Sequence, residues 1–277
     1  MTSEKIKKAL TRSDWPLESF NGMTLALSPL LKSVDFLSHA FTTRLGGKSR
    51  TPLDSFNLGR HWPCDESKAD AMQNRRQLCE IFAIDADSLA VPAQQHTNNV
   101  HLIDRELSGG PFQFPAIDAL ATAVKEQPLL LHFADCVPVI LVDRVKKNIC
   151  VIHAGWRGTA GGIVKNSLEL MLEKMGSKPQ HIAAAIGPAI GSCCFQTGGE
   201  VPQQLEKTVQ NSDGLVEYKN DSAYPDLKAF NAMQLLDSGV EDIDVSNWCT
   251  ACHPEIFYSH RQSGGQTGRQ GALACIR

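Results

Sequence analysis

The chain has 277 residues, 42% of them hydrophobic, and a net charge of −3 with a pI near 6.3; this is enough apolar material for a real core, with no basic field for nucleic acid. It holds no run of about 18 apolar residues and its charged start is not followed by an apolar stretch, so no membrane partner is expected and a cytoplasmic address follows. Nine cysteines, an odd number scattered along the chain, fit reduced thiols better than a disulfide scaffold.

Residues 1 to about 30, with Pro16 and Pro29, show little periodicity and read as an irregular or strand-forming lead-in to a single domain spanning 1–277. Residues 65–82 describe an amphipathic helix, with Asp65 at its N-cap and Met72, Leu78, Ile81 and Phe82 as its apolar positions. Stretches 89–91 and 100–104 read as short strands around the loop 92–99, which carries Gln94 and His96.

Residues 139–143 and 149–153 flank a polar break and read as the two strands of an antiparallel hairpin. Folding about residue 146 sets position 139 opposite 153 and leaves Cys136 three residues beyond direct register with His153, with the Val137-Pro138 step to turn it inward. A thiol and an imidazole become neighbours. Either they are packed core residues, or with His96 they are three ligands that leave tetrahedral zinc one open position. Copper suits the same donors, and zinc is the expected ion.

The glycine-rich run 155–162 leads into a helix over 164–175 that Gly176 stops. Its backbone N–H groups, with Arg157, would form an anion nest, or Gly155, Gly158, Gly161 and Gly162 simply permit a tight strand-to-helix turn. A strand at 182–186, a helix at 226–237 ending before Gly239 and a strand at 272–276 follow. Helices interleaved with strands around an antiparallel hairpin predict an α+β fold, a mixed β-sheet with flanking helices.

Cys249-Thr-Ala-Cys252-His253 matches the spacing of a haem attachment site, but without an export signal structural thiols are expected. A structural zinc there would need a second ligand pair of similar spacing. Cys193-Cys194 is not expected to serve, because neighbours in an extended chain point to opposite faces. Arg44, Asn57, Gln94 and Arg261 sit in loop-like, glycine-bordered contexts and are either substrate-binding groups or solvated surface residues.

Several segments run in order from about residue 39 to the end: Phe41-Thr-Thr-Arg-Leu-Gly-Gly47, Phe56-Asn-Leu-Gly59, Gln94-Gln-His-Thr97, Ala134-Asp-Cys-Val-Pro-Val139 and His153-Ala-Gly-Trp-Arg-Gly158. Ile186-Gly-Pro-Ala-Ile-Gly191, Cys249-Thr250, Ser259-His-Arg261 and Thr267-Gly-Arg269 continue the series. Together they resemble the YfiH family, also called the laccase-domain or peptidoglycan-editing-factor family of purine nucleoside phosphorylases.

The resemblance implies a zinc or copper site made of His96, Cys136 and His153. It also implies phosphorolysis of adenosine, inosine and methylthioadenosine to base and ribose 1-phosphate, with deamination of adenosine as an accompanying activity. Cys136, His153 and Asp135 would be the catalytic residues, Asp135 supporting from behind because a regular strand points it to the other face. Arg44, Asn57, Gln94, Arg157 and Arg261 would bind the nucleoside and phosphate. Gln95, Thr97 and the run 251–253 depart from the usual pattern and bear on the rim of the pocket.

Three rivals accompany this reading. A metal-free hydrolase would use Cys136 as nucleophile and His153 as base on amide or cell-wall precursor substrates. A copper polyphenol oxidase would need more ligands than nine histidines with no His-x-His pair supply. A binding module would use the ion only to staple the hairpin to the His96 loop.

Overall fold

The computed structural model describes residues 2–60, 65–110 and 114–277. Helix α1 (Ser3–Leu10) leads into β1 (Arg12–Ser13), the hairpin β2 (Leu17–Phe20) and β3 (Met23–Ala26), the short α2 (Pro29–Lys32) and β4 (Leu37–Thr42). The lead-in is therefore not irregular: besides strands it carries two helices, α1 started by the Thr2 side chain and α2 by Ser28.

Helix α3 (Asp65–Ile81) stands where the apolar spacing puts it, although the N-cap role expected of the Asp65 side chain lies outside the described residues. Strands β5 (Val100–Ile103), β6 (Ala119–Thr122) and β7 (Leu129–Phe133) precede the hairpin β8 (Val137–Asp143) and β9 (Asn148–Ala154). The stretch 89–91 forms only an isolated bridge, Ala90 to Leu129.

After the hairpin come α4 (Trp156–Ala160) and α5 (Ile163–Met175), the latter bounded by Gly162 and Gly176 in the left-handed region, at φ 74° and 66°. Strand β10 (Ile182–Ile186), α6 (Glu200–Glu206), the ribbon β11 (Val216–Lys219) and β12 (Ser222–Pro225), α7 (Leu227–Asp237), β13 (Asp242–Ser246) and β14 (Gln270–Ile276) complete the chain. Asp226 caps α7 by accepting the Ala229 N–H.

The strands form a mixed seven-stranded sheet, β1-β13-β10-β8-β9-β6-β5, and an antiparallel five-stranded sheet, β2-β3-β4-β14-β7. Alternation along β8 explains the layering. Ile140 and Val142 belong to one core with Phe41, Leu131 and Ala272 of the five-stranded sheet, while Val139 and Leu141 belong to another with Leu168 of α5 and Phe230 of α7 on the opposite face. Helix α3 covers the outer side of the smaller sheet through Leu78 and Cys79. The architecture is the expected α+β fold with a mixed sheet and flanking helices.

The hairpin register differs by one residue from the sequence expectation, since His153 pairs with Pro138 and Asp143 with Asn148. Only residues 144–147 form the turn, and Lys147 closes it at φ 58°. Cys136 thus lies two residues beyond the partner of His153 and shares its face by simple alternation, with no inward twist required.

Candidate functional site

Cys136 lies where the chain leaves β7 in one sheet and enters β8 in the other, and Asp135, at φ 81°, makes the corner. His153, one residue before the end of β9, lies on the face toward the five-stranded sheet, its ring 5.3 Å from that of Phe133. His96 approaches from the loop 92–99 at φ 60°. The donor atoms of His96, Cys136 and His153 all lie within 4.8 Å of one another, and Cys136 Sγ is 3.7 Å from His96 Nε2. Tetrahedral zinc with ordinary bond lengths separates a thiolate and an imidazole nitrogen by roughly 3.6 Å, so this donor set fits such an ion.

Asp118, at the foot of β6, ties the His96 loop to His153, and nothing in its neighbourhood of sequence marks it. Its fully buried carboxylate accepts the backbone N–H groups of Gln95, His96 and Thr97 at 3.1, 3.0 and 2.7 Å and the Thr97 hydroxyl at 2.7 Å. It also lies 2.8 Å from His153 Nδ1. An ionised carboxylate only accepts, so the ring N–H donates to it and Nε2 is left to face Cys136. Burial opposes the charge of Asp118, but the bonds from His153 and Thr97 prevail and hold its pKa at about 2.

Burial likewise opposes the thiolate of Cys136, yet the adjacent His153 charge outweighs it and draws the thiol down to about 6. His153 moves the other way, to about 9: its own burial is overcome by Cys136 and by the bond to Asp118. Without an ion the two make a thiolate–imidazolium pair. Gly155 permits this closeness, because a Cβ there would lie 2.9 Å from His96 Cδ2 and 3.0 Å from Cys136 Sγ. The glycine-rich run thus has a packing reason, and its Thr159, Gly161 and Gly162 N–H groups donate to the carbonyls of Gly155, Arg157 and Thr159.

The three donors border a cavity of about 1130 Å³. Among the described residues its lining carries Arg60, Lys68, Arg75, Arg76, Arg157, Arg261 and Arg269 against two carboxylates, Asp87 and Asp135. Arg157 is exposed with its guanidinium 4.2 Å above the Trp156 ring. Arg261 also lines the cavity, but its guanidinium donates to the carbonyls of Cys194 and Gln196 at 2.8 and 3.0 Å. Gln94 borders the cavity while its amide pairs both ways with the His132 backbone at 2.8 Å, so it braces β7. Asp135 accepts the Thr250 hydroxyl at 2.6 Å and the Arg261 N–H at 2.7 Å, a support for the wall.

Arg44 and Asn57 do not line the cavity. The Arg44 guanidinium donates to the carbonyls of Asp54 and Pro254, and the fully buried Asn57 bonds Gly59 and the Arg269 N–H. The bonds of both side chains are to the backbone of the surrounding loops. Sequence reasoning does not single out Arg269 or Arg75 as site residues; Arg269 interacts electrostatically with Cys136, and Arg75 donates to His132 Nε2 at 3.2 Å. The one sequence hint is Thr267-Gly-Arg269 among the family motifs.

A family model described as "Multi-copper polyphenol oxidoreductase laccase" matches residues 38–277. "Purine nucleoside phosphorylase YlmD" of Bacillus subtilis (strain 168) is 36% identical over 237 residues, 83% of this chain and 84% of the relative. "Adenosine deaminase RL5" of an unknown prokaryotic organism is 32% identical over 250 residues, 86% of this chain and 93% of that protein. Among solved structures, YlmD from Geobacillus stearothermophilus superposes with a TM-score of 0.88 at 32% identity, covering 96% of this chain and 100% of that one. The Bacillus licheniformis hypothetical protein YfiH superposes with a TM-score of 0.87 at 31% identity, covering 95% and 99%. With its sequence motifs, its two-sheet fold and its His-Cys-His cluster in one frame, the chain belongs to the laccase-like family of YfiH and YlmD.

Proposed function

We propose that the chain is a metal-dependent purine nucleoside phosphorylase that acts on adenosine, inosine or methylthioadenosine with inorganic phosphate, and that it also deaminates adenosine. The observation that carries this reading is the meeting of the His96, Cys136 and His153 donors with a cavity whose lining is strongly cationic. Relatives named as purine nucleoside phosphorylases and as an adenosine deaminase support it.

His96, Cys136 and His153 would hold the ion, zinc or alternatively copper, which when bound supplies Lewis-acid polarisation at the cavity floor. Asp118 keeps His153 in one tautomer and the His96 loop in one place. Arg157 at the mouth and Arg269 beside Cys136 attract phosphate and hold it against the wall. A phosphate oxygen then attacks the anomeric carbon as the bond to the purine nitrogen breaks, and the arginines' contribution is placement and charge stabilisation. Trp156 and Phe195 give the cavity aromatic surface for a purine. The substrates are small molecules in a cytoplasmic setting. Among the described residues no helix is long and apolar enough to cross a membrane.

Incubation with adenosine and phosphate, followed by chromatography, tests the reading. Adenine with ribose 1-phosphate supports phosphorolysis and inosine supports deamination, while neither product in metal-replete protein overturns the proposal.

One observation favours a second reading, a metal-free cysteine hydrolase on amide or cell-wall precursor substrates: the His153 charge beside Cys136 draws its thiol down to about 6, which favours the thiolate form such an enzyme would use. Stoichiometric metal in purified protein, with Cys136 shielded from iodoacetamide, decides against it.

A further inference from the structure

A second cluster of metal-ligating side chains lies beyond the wall of the His96 cavity. The sulfurs of Cys193, Cys194, Cys249 and Cys252 all fall within 4.8 Å of one another. Cys252 Sγ is 3.5 Å from Cys193 Sγ and 3.4 Å from Cys194 Sγ. These separations far exceed the ~2.05 Å of a disulfide bond. They approach the roughly 3.8 Å that separates thiolates around a tetrahedral ion with bonds of about 2.3 Å.

An extended chain at Cys193-Cys194 would point the two thiols apart, but the chain there is turned. The N–H groups of Cys194 and Phe195 both return to the Gly191 carbonyl at 3.0 Å, which brings the two adjacent thiols toward Cys252. The second ligand pair that Cys249-x-x-Cys252 lacks in sequence is therefore this vicinal pair.

Two further features suit an ion. Gly191 lies against the sulfurs, where a Cβ would come within 3.1 Å of Cys193 Sγ and 3.5 Å of Cys249 Sγ. Its N–H donates to Cys249 Sγ at 3.2 Å, and the Cys252 N–H donates to the same sulfur; such bonds stabilise a thiolate. Four thiolates around a divalent ion leave a net charge of about −2, and the Lys228 ammonium acts on Cys249 and Cys193 while Arg261 bonds the Cys194 carbonyl.

We propose that Cys193, Cys194, Cys249 and Cys252 form a second metal centre, a four-thiolate zinc site that fastens the turn at 191–196 to the turn at 249–252. That junction holds the carbonyls of Cys194 and Gln196, and through them the Arg261 guanidinium on the cavity wall. The ion has a structural role, because all its positions are filled by sulfur. The inference does not depend on which reaction the His96 site performs.

Cobalt is the probe, added to full-length, reduced, metal-stripped protein. The Cys136→Ser variant removes the sulfur of the other site, so thiolate-to-cobalt charge transfer in this variant that is also sensitive to Cys252 is assigned to the four-cysteine cluster. The proposal expects that band together with tetrahedral ligand-field absorption, bleached by zinc and weakened or lost on adding Cys252→Ser. A folded Cys136→Ser protein with no thiolate band overturns it. So does a disulfide among the four cysteines in native protein, read by peptide mass under non-reducing conditions.

Should the double variant not fold, wild-type protein decides. Zinc at about ten times its dissociation constant leaves roughly a tenth of the molecules unliganded and slows alkylation of the exposed Cys193 and Cys252 about tenfold, reversibly by chelator. Equal alkylation with and without zinc overturns the proposal.

Discussion

The Nδ1 atom of His153 lies 2.8 Å from Oδ1 of Asp118, and the same carboxylate gathers three backbone N–H groups of the loop that carries His96. One buried charge thus orients one candidate ligand directly and another through the backbone. Asp118→Asn keeps the shape, removes the charge and sets an amide N–H against a ring of donors. It is expected to cost about 3 kcal/mol in urea unfolding and to weaken zinc binding roughly 10- to 100-fold in a chelator competition. An unchanged unfolding midpoint would remove Asp118 from this role.

The same carboxylate sets an acid limit. Its folded pKa is depressed from 3.8 to about 2, so its contribution is fully present above about pH 4 and lost as pH falls toward 2. Urea midpoints of the wild type should fall across that window. The amide of the Asp118→Asn variant does not titrate, and its curve should be flatter there.

In metal-free protein, alkylation of Cys136 by iodoacetamide is expected to rise through about pH 6, following the thiolate that His153 stabilises. Cys79 and Cys150, which burial pushes up to about 12, should stay unreactive throughout. His153→Ala should move the Cys136 profile upward toward the ordinary thiol value. Peptide mass at a series of pH values reads all three, and a Cys136 profile indifferent to His153 contradicts the pairing.

Gly155→Ala puts a methyl group 2.9 Å from His96 Cδ2 and 3.0 Å from Cys136 Sγ. Backbone and ring must move apart, and a displacement of this size at a metal site should lower zinc affinity and turnover by about tenfold or more. Gly198→Ala, where a Cβ meets nothing within 4 Å, is the control and should leave both unchanged.

Arg157 and Arg44 separate binding from scaffolding. Arg157→Ala should raise the KM for phosphate about tenfold, or ~1.4 kcal/mol, with little change in thermal midpoint. Arg44→Ala should do the reverse, since it strips donors from the Asp54 and Pro254 carbonyls at a cost of about 1–2 kcal/mol. Equal effects on the phosphate KM would place Arg44 nearer the chemistry than its hydrogen bonds do.

Much was legible in the amino-acid order because it is governed by local rules. Alternation and β-branching announce β8 and β9, the helical period announces α3, α5 and α7, and the left-handed Gly176 ends α5 where a helix must stop. The His-Cys-His trio was readable because two of its members sit on one hairpin and the third in a recognisable loop motif.

Other features depend on closures that no local rule specifies. The hairpin register rests on a four-residue turn with Lys147 at positive φ, and a miscount of one residue there would put Cys136 on the wrong face. Asp118 carries no signal in the amino-acid order, and only the pairing of β5 with β6 sets it beside the His96 loop. Arg44 and Asn57 look like ligands from their motifs, yet their donors are consumed by nearby carbonyls.

Local order in the chain was enough for the central hairpin, for α3, α5 and α7, and for the motifs that point to the family and to His96, Cys136 and His153 as expected donors, because periodicity and short motifs act over a few residues. The tertiary structure alone decided which polar groups are spent on the backbone, which arginines face the cavity and how Cys193-Cys194 meets Cys249 and Cys252. Those outcomes come from pairing between segments dozens of residues apart, where buried groups must find partners wherever the folded chain supplies them.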